Sequence, residues 1–517
     1  MQSFFDHAQR HPERRAVLLA SGTEVSYGEL AADMHRIAHA LDREGLRPGD
    51  TVAVMMENRP EYLAVFGAAV ESGLPFVGLN WHLTAEEIAY ILTDSGARLL
   101  IASPTNAETA QSGAEQAGIP EAARVCLEPA EGFVSLAEFV AGQPEELPVQ
   151  RQFGQALFYT SGTTGKPKGV RKKITPIPPE RIRLSTGIGT PEPPDVDSAQ
   201  PSDAVHLVAG PLYHAAPLAG AAAPLDMGAA VVLMERFTPE GFLELVERYR
   251  VTNAWMVPTM FNRLLALRDE VRATADVSSL QSIMHAGAPC AVEVKHRMID
   301  WMGPILNEAY SSTEGAGTFI TSEEWLRRPG SVGRPAVPGT VKILDGEGRE
   351  CPPGVEGMVY LAPTLWEFEY LHDPKKTEET RRGGVFTVGD IGYLDEEGYL
   401  FLCDRVAEVI VSGAVNIYPA EIESVLQGHP AVADAAVVGV PNHEWGEEVR
   451  GIVELQDGWP QTPETGVALI EHCRSRLAHY KCPKAIDFVE TLGRDPNGKL
   501  RKRVLRAPYW EGRERRI

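Results

Sequence analysis

Hydrophobic positions over residues 26–102 switch between two periods, and the switching predicts helices and strands in turn. Leu30, Met34, Ile37 and Leu41 recur at helical spacing. Ser26 and Glu29 stand just ahead of them as a capping box, the pattern that satisfies free amides at a helix start. Residues 51–55 read as a strand, 60–71 as a helix and 75–79 as a second strand. Thr84 and Glu87 cap the next helix, and 98–102 close the series as a strand. Strands alternating with helices imply a mostly parallel sheet covered on both faces, an α/β architecture. Ala156, Leu157 and Phe158 form a further apolar run that reads as a buried strand.

Residues 204–234 make the most apolar long segment, broken by Pro211, Pro217, Pro224 and Asp226. That pattern suits a buried helix with flanking strands better than a membrane span. Pro176, Pro178, Pro179, Pro191, Pro193, Pro194 and Pro201 mark an irregular surface excursion, read as a plain insertion that would shape the mouth of a site. No repeat of fixed period is visible.

At 517 residues the chain exceeds the usual single domain, so two or three domains are expected. A formal charge of −22 argues against nucleic acid as a partner. The basic run Arg501-Lys502-Arg503 reads as a solvated face. Six cysteines stand without a C-x-x-C pair, which suggests neither zinc nor a disulfide framework and fits a reducing, cytoplasmic setting. The N-terminus lacks the basic-then-apolar pattern of a signal peptide.

The densest chemical signal follows the strand at 156–158. Thr160-Ser161-Gly162-Thr163-Thr164-Gly165 leads into Lys166, Pro167 and Lys168. Glycines uncover backbone amides, hydroxyls add donors and lysines add charge, which is what wrapping a polyphosphate requires. A Walker A loop needs G-x-x-x-x-G-K-[ST]; here Thr160 stands at its first Gly and Pro167 follows the Lys, so that reading fails. A bland Ser/Thr/Gly loop accounts for the glycines but not for the two lysines.

Other signals follow in order. His214 ends Pro211-Leu212-Tyr213-His214; a lone His is more often structural than a ligand contact. Ala286, Gly287 and Ala288 follow a short strand, and small residues there admit close backbone approach. Tyr310-Ser311-Ser312-Thr313-Glu314-Gly315 offers an aromatic face and hard oxygens suited to Mg²⁺. Gly389 delivers Asp390, then come Asp404-Arg405, Ser412-Gly413-Ala414 and the turn 495–498 presenting Lys499.

Taken together and in this order, these motifs closely resemble the adenylate-forming superfamily of acyl-CoA synthetases, adenylation domains and luciferases, over essentially the whole chain. The subgroup resembled is the bacterial fatty-acyl and aryl CoA ligases. The resemblance implies a large N-terminal α/β adenylation domain, residues 1–404, binding ATP and the acyl group. A small mobile α+β lid, residues 405–517, would carry the catalytic lysine. A carboxylic acid and ATP would give acyl-adenylate and pyrophosphate; coenzyme A would then take the acyl group.

The resemblance also implies roles. Thr160, Ser161, Gly162, Thr163, Thr164, Gly165, Lys166 and Lys168 would hold the phosphates. Tyr310, with Ala288 nearby, would meet adenine, Asp390 and Arg405 would bind ribose, and Thr313 would contact the α-phosphate. Glu314 and Thr164 would serve Mg²⁺. Lys499 would bridge the carboxylate and α-phosphate. His214, Ala286, Gly287, Ser311 and Gly315 would line the acyl pocket, so enlarging Gly287 or Gly315 is expected to favour smaller acids. Ser412, Gly413 and Ala414 would border the coenzyme A tunnel.

Three positions depart from the family's commoner pattern. Ser311 and Ala414 stand where Gly is frequent, and Ala407 stands at the hinge where Asp or Lys is frequent. Ala414 leaves open an alternative acceptor, an amine or a carrier protein. Rival classes are a P-loop ATPase or kinase, disfavoured by the failed Walker spacing, and an inactive binding relative, disfavoured by the presence of Lys499, Glu314 and Asp390. A homodimer is a candidate assembly.

Overall fold

A computed structural model describes residues 3–160, 167–173, 177–188, 202–315, 317–363, 367–406, 408–412, 415–443, 445–494 and 499–511. The series over residues 26–102 is realised nearly residue for residue. Ser26 accepts the Glu29 amide and Glu29 returns to the Ser26 amide, opening the helix Tyr27–Arg43, whose Leu30, Met34 and Leu41 are fully buried. Thr84 and Glu87 close the same box ahead of the helix Ala85–Ser95. The strands Phe76–Gly78, Thr51–Met55, Ala97–Ala102, Arg124–Cys126 and Val134–Ser135 form, in that order, an all-parallel sheet.

A second sheet has eight strands: Thr318–Ile320, Leu306–Tyr310, Ser282–His285, Asn253–Met256, Val205–Val208, Ala230–Leu233, Arg15–Leu19 and Glu24–Ser26. The inner six run parallel and both edge strands antiparallel. The apolar segment of 204–234 becomes strand, helix Ala215–Asp226 and strand, with Pro224 inside the helix. Beside these lie a seven-stranded sheet that includes Asp390–Leu394 and Leu400–Arg405, and a three-stranded antiparallel sheet. A separate, smaller C-terminal domain wraps helices Pro419–Gln427 and Pro463–Arg474 around five strands, with its own core of Ile410, Ile422, Leu426, Val437, Val453 and Leu469.

Three expectations need correction. The strand before the phosphate loop begins at Phe158, not Ala156, and belongs to the three-stranded antiparallel sheet rather than to a parallel one. Of the excursion after it, Pro178 and Pro179 with the residues through 188 are described, and they are not a plain surface insertion. Ile182, Leu184 and Ile188 are buried, and Leu184–Ile188 is helical. The fully enclosed carboxylate of Asp226 accepts the amides of Leu184, Ser185 and Phe4 at 3.2, 2.8 and 3.2 Å, so one acid ties three distant segments. Lys502 is likewise no solvated residue: its Nζ sits 2.9 Å from Glu423 and 3.1 Å from Glu408.

Candidate active site

Loops leaving the carboxyl ends of the inner parallel strands carry the expected acyl-pocket residues together with Ala288, Thr313 and Glu314, the place where open α/β sheets gather ligand chemistry. Val205–Val208 leads to His214, Ser282–His285 to Ala286, Gly287 and Ala288, and Leu306–Tyr310 to Ser311, Thr313, Glu314 and Gly315. Buried Asn58 fixes the first of these loops: its Nδ2 donates to the Gly210 and Met234 carbonyls at 2.9 Å, and its Oδ1 accepts the Leu212 amide at 2.8 Å. His214 occupies the N-cap position of the helix Ala215–Asp226.

Lys499 arrives at this place from the far end of the chain. Burial pushes the His214 imidazole down to about 3, and the Lys499 ammonium adds to the effect, so His214 is neutral. The segment after Lys499 is anchored by the half-buried pairs of Lys502 with Glu423 and Glu408. Its turn, residues 495–498, lies outside the described residues, as does hinge residue Ala407.

Tyr310 donates from its hydroxyl to Asp390 Oδ2 at 2.6 Å, while Arg405 Nε donates to Oδ1 at 3.0 Å. Asp390 and Arg405 are direct partners across adjacent antiparallel strands, and Gly389 at φ +88° makes the turn that places the acid there. Burial and the neighbouring Asp390 charge hold the Tyr310 hydroxyl well above its ordinary value, so it stays a donor. The three groups form one polar unit joining the eight-stranded and seven-stranded sheets.

Thr160 and Lys168 are paired opposite one another at the mouth of the hairpin that carries the phosphate loop. Ser161, Gly162, Thr163, Thr164, Gly165 and Lys166 lie outside the described residues. The hairpin is tied down by the Tyr90 hydroxyl on the Pro167 carbonyl at 3.1 Å and by the Tyr159 hydroxyl on Asp94 at 2.7 Å. Lys168 Nζ reaches Asp373 at 2.7 Å, and that ion pair holds the Asp373 carboxyl below its usual range. Asp373 also caps the helix Pro374–Glu379.

Glu314 is buried and accepts the Tyr370 hydroxyl on Oε1 at 2.9 Å. Lys172, donating to the Ile188 carbonyl at 2.9 Å, is pulled down to about 8 by burial, with Glu314 opposing. Among the described residues no group of three or more acidic, His or Cys side chains is disposed to hold a metal alone. A single carboxylate suits Mg²⁺ all the same, since that ion is usually held by one or two carboxylates, water and substrate phosphates.

Gly287 and Gly315 differ as probes of the pocket. Gly287 has φ +88°, so any side chain there strains the backbone before it fills space. A Cβ on Gly315 would come within 2.6 Å of the Phe386 ring and 3.1 Å of the Ala362 carbonyl, so its small size serves packing. Enlarging either residue therefore adds backbone strain or a packing clash to any effect on acid preference. Ser311 is exposed, and Thr313 and Ala288 are half-buried. Ser412 pairs with Val415; Gly413 and Ala414 between them lie outside the described residues. Asn58, Asp94, Lys172 and Asp373 carried no motif signal, because each acts through contacts distant in sequence.

Residues 4–364 match the profile of the AMP-binding enzyme family, and residues 421–499 match the AMP-binding enzyme C-terminal domain. The chain belongs to the AMP-binding enzyme family. Among relatives in this adenylate-forming superfamily, a feruloyl-CoA synthase of Amycolatopsis sp is 35% identical, with 94% of each chain covered. A fatty acid–[acyl-carrier-protein] ligase, ScoC, of Streptomyces coeruleorubidus is 33% identical over 99% of this chain and 96% of its own. Among solved structures, the amide bond synthetase McbA from Marinactinospora thermotolerans superposes with a TM-score of 0.80 at 30% identity, covering 95% of this chain and 96% of the other. No helix among the described residues of this family member is long and apolar enough to cross a membrane.

Proposed function

We propose that this chain is an AMP-forming acid–thiol ligase that activates a carboxylic acid with ATP and passes the acyl group to coenzyme A. The observation that carries the reading is the Tyr310–Asp390–Arg405 unit joining the two sheets beside the loops of the parallel strands, with the Lys499 charge acting on His214 there. The substrate carboxylate oxygen attacks the α-phosphorus of ATP, the bond to the β-phosphate oxygen breaks, and pyrophosphate leaves. Lys499 neutralises charge accumulating on the transferring oxygens; neutral His214 beside it adds no second cation to repel. Because the acid is already an anion, no general base is needed, and positioning does most of the work.

In this reading Asp390, held in place by Tyr310 and Arg405, accepts the ribose hydroxyls on its remaining lone pairs, and the Tyr310 ring packs on adenine. Thr160, Lys168 and the loop between them enclose the β- and γ-phosphates, with Thr313 at the α-phosphate. Mg²⁺, held by Glu314 and Thr164, would supply charge neutralisation on the phosphates. We place the division between adenylation domain and lid at Asp404–Arg405. After pyrophosphate leaves, the lid carrying Lys499 turns about Ala407. The coenzyme A sulfur, as thiolate, then attacks the acyl carbonyl past Ser412, Gly413 and Ala414, and AMP leaves with the former acid oxygen.

A carrier-protein thiol is the second reading for the acceptor, favoured by the match to the carrier-protein ligase over 99% of this chain. An amine is the third, from the amide synthetase neighbour. The test supplies acid, ATP and Mg²⁺, then coenzyme A, a phosphopantetheinylated carrier or an amine, with products identified by mass spectrometry. AMP, pyrophosphate and acyl-CoA are expected. ADP as product overturns the adenylation; amide or acyl-carrier without acyl-CoA overturns only the acceptor.

A further inference from the structure

The strands Asn253–Met256 and Ser282–His285 lie in the middle of the eight-stranded sheet, yet one of their faces is not fully buried. Ala254, Met256, Ile283 and His285 point to the closed core with the helix Val292–Met302. Trp255 and Met284 point the other way, stand side by side in register, and keep part of their surface accessible. Trp255 is half-buried, packed in part against that same apolar cluster, with the rest of its indole left accessible.

In the adenylation reading this face of the sheet lies on the acyl side of the proposed site. Val257, two residues beyond Trp255 and just past the end of its strand, lies near Gly287, to whose Cβ position its Cγ1 is 3.8 Å away. Trp255 is therefore one layer below the pocket rim, about 6.6 Å down the strand. Two glycines make room for it. A Cβ on Gly220, in the helix that His214 caps, would lie 3.3 Å from Trp255 Cβ, and one on Gly210 would lie 3.7 Å from Cζ3. The indole thus lies under the His214 loop and along its helix. The next layer down is polar: His206, Asn253 and Ser282 stand in register. Ser282 Oγ accepts Asn307 Nδ2 at 3.0 Å, and Asn253 Oδ1 accepts the Thr252 hydroxyl at 2.7 Å.

We infer that Trp255 closes the far end of the acyl pocket and makes it a site for compact aryl acids rather than long-chain fatty acids. The inference rests on the adenylation reading above. One apolar layer between the rim and a polar layer accommodates a single ring, and a flat indole offers that ring an offset-stacked or edge contact. A long alkyl tail would have to displace the indole and then desolvate His206, Asn253 and Ser282.

The test measures pyrophosphate release by the full chain with benzoate, 4-hydroxycinnamate, hexanoate, laurate and palmitate, for the unaltered protein and for Trp255→Phe and Trp255→Leu. The unaltered protein should prefer the aryl acids and fall steeply beyond hexanoate. Trp255→Leu should lose at least about tenfold in kcat/KM for the aryl acids and gain at least about tenfold for laurate. Trp255→Phe should keep the aryl preference, and KM for ATP should stay within about twofold throughout. The unaltered profile needs no variant to fold: palmitate used as well as the aryl acids overturns the inference while leaving adenylation intact. A laurate profile unmoved by Trp255→Leu, with normal KM for ATP, also overturns it. Failure of every acid to release pyrophosphate overturns the adenylation reading and this one with it.

Discussion

Lys499 and His214, 285 positions apart in sequence, share one electrostatic environment: the lysine charge adds to burial in holding the histidine neutral. A lysine charge acting on a neutral imidazole at the carboxyl ends of a parallel sheet leaves one positive charge there for an anion to meet. The substrate carboxylate and the α-phosphate are such anions.

Lys499→Ala should lower adenylation by roughly 100- to 1000-fold, the usual cost of losing a charge contact made in the transition state. In the proposed reading the lid carries Lys499 away for the second step, so transfer from preformed acyl-adenylate to thiol should fall far less. Pyrophosphate release and single-turnover thioester formation, measured separately, give the two numbers. Equal loss in both would show that Lys499 is not specific to adenylation.

Tyr310→Phe removes the hydroxyl that donates to Asp390 at 2.6 Å and leaves the ring in place. The acid keeps Arg405 but loses half of its support, so its orientation for ribose loosens. A hydrogen bond to a charged group is worth about 1.5–3 kcal/mol. KM for ATP should rise by about tenfold or more, with KM for the acid changing little. An unchanged KM for ATP would detach this pair from nucleotide binding.

Glu71 supplies a pH prediction away from the site. Its side chain is fully enclosed, Arg151 Nε approaches to only 3.6 Å, and neither carboxyl oxygen has a hydrogen-bond donor among the described residues. Burial raises its carboxyl to about 8 from 4.5, with Arg151 opposing. The folded state therefore holds a proton that the unfolded state releases above about 4.5. Stability from this group is complete below the unfolded value and is lost as pH rises towards about 8. Glu71→Gln should flatten the pH dependence of Tm between pH 5 and 8 and stabilise the protein at pH 8, by about 1–3 kcal/mol. A variant whose Tm falls with pH as steeply as the unaltered protein's contradicts this.

Asp226→Ala leaves the amides of Phe4, Leu184 and Ser185 without their buried acceptor. Each unsatisfied group costs about 1–3 kcal/mol, so a loss of roughly 3–5 kcal/mol is expected, read as a lowered midpoint in urea. Asp226→Asn keeps an acceptor oxygen and should recover part of it. A change below about 1 kcal/mol for the Ala variant would mean that water replaces the carboxylate.

The sequence alone determined whatever is local or carried by a motif. Helix starts at Ser26 and Thr84 were legible because a capping box is complete within four residues, and the helix over 60–71 because its whole pattern is contiguous. The order of the phosphate loop, the Tyr310–Gly315 run, Asp390 and Lys499 identified the family for the same reason. Tertiary structure decided what depends on partners far along the chain. The strand Arg15–Leu19 pairs with Ala230–Leu233 rather than with its neighbours over 51–102, since register follows the buried face and not sequence proximity. Lys502 looked like one of three solvated cations, and only folding sets Glu423 and Glu408 around it. Asp226 read as an interruption in an apolar segment until the amides of Leu184, Ser185 and Phe4 converged on it. Trp255 gave no signal at all. A tryptophan in a strand reads as core, and whether its face meets a helix or an open pocket is fixed by which segments fold over it.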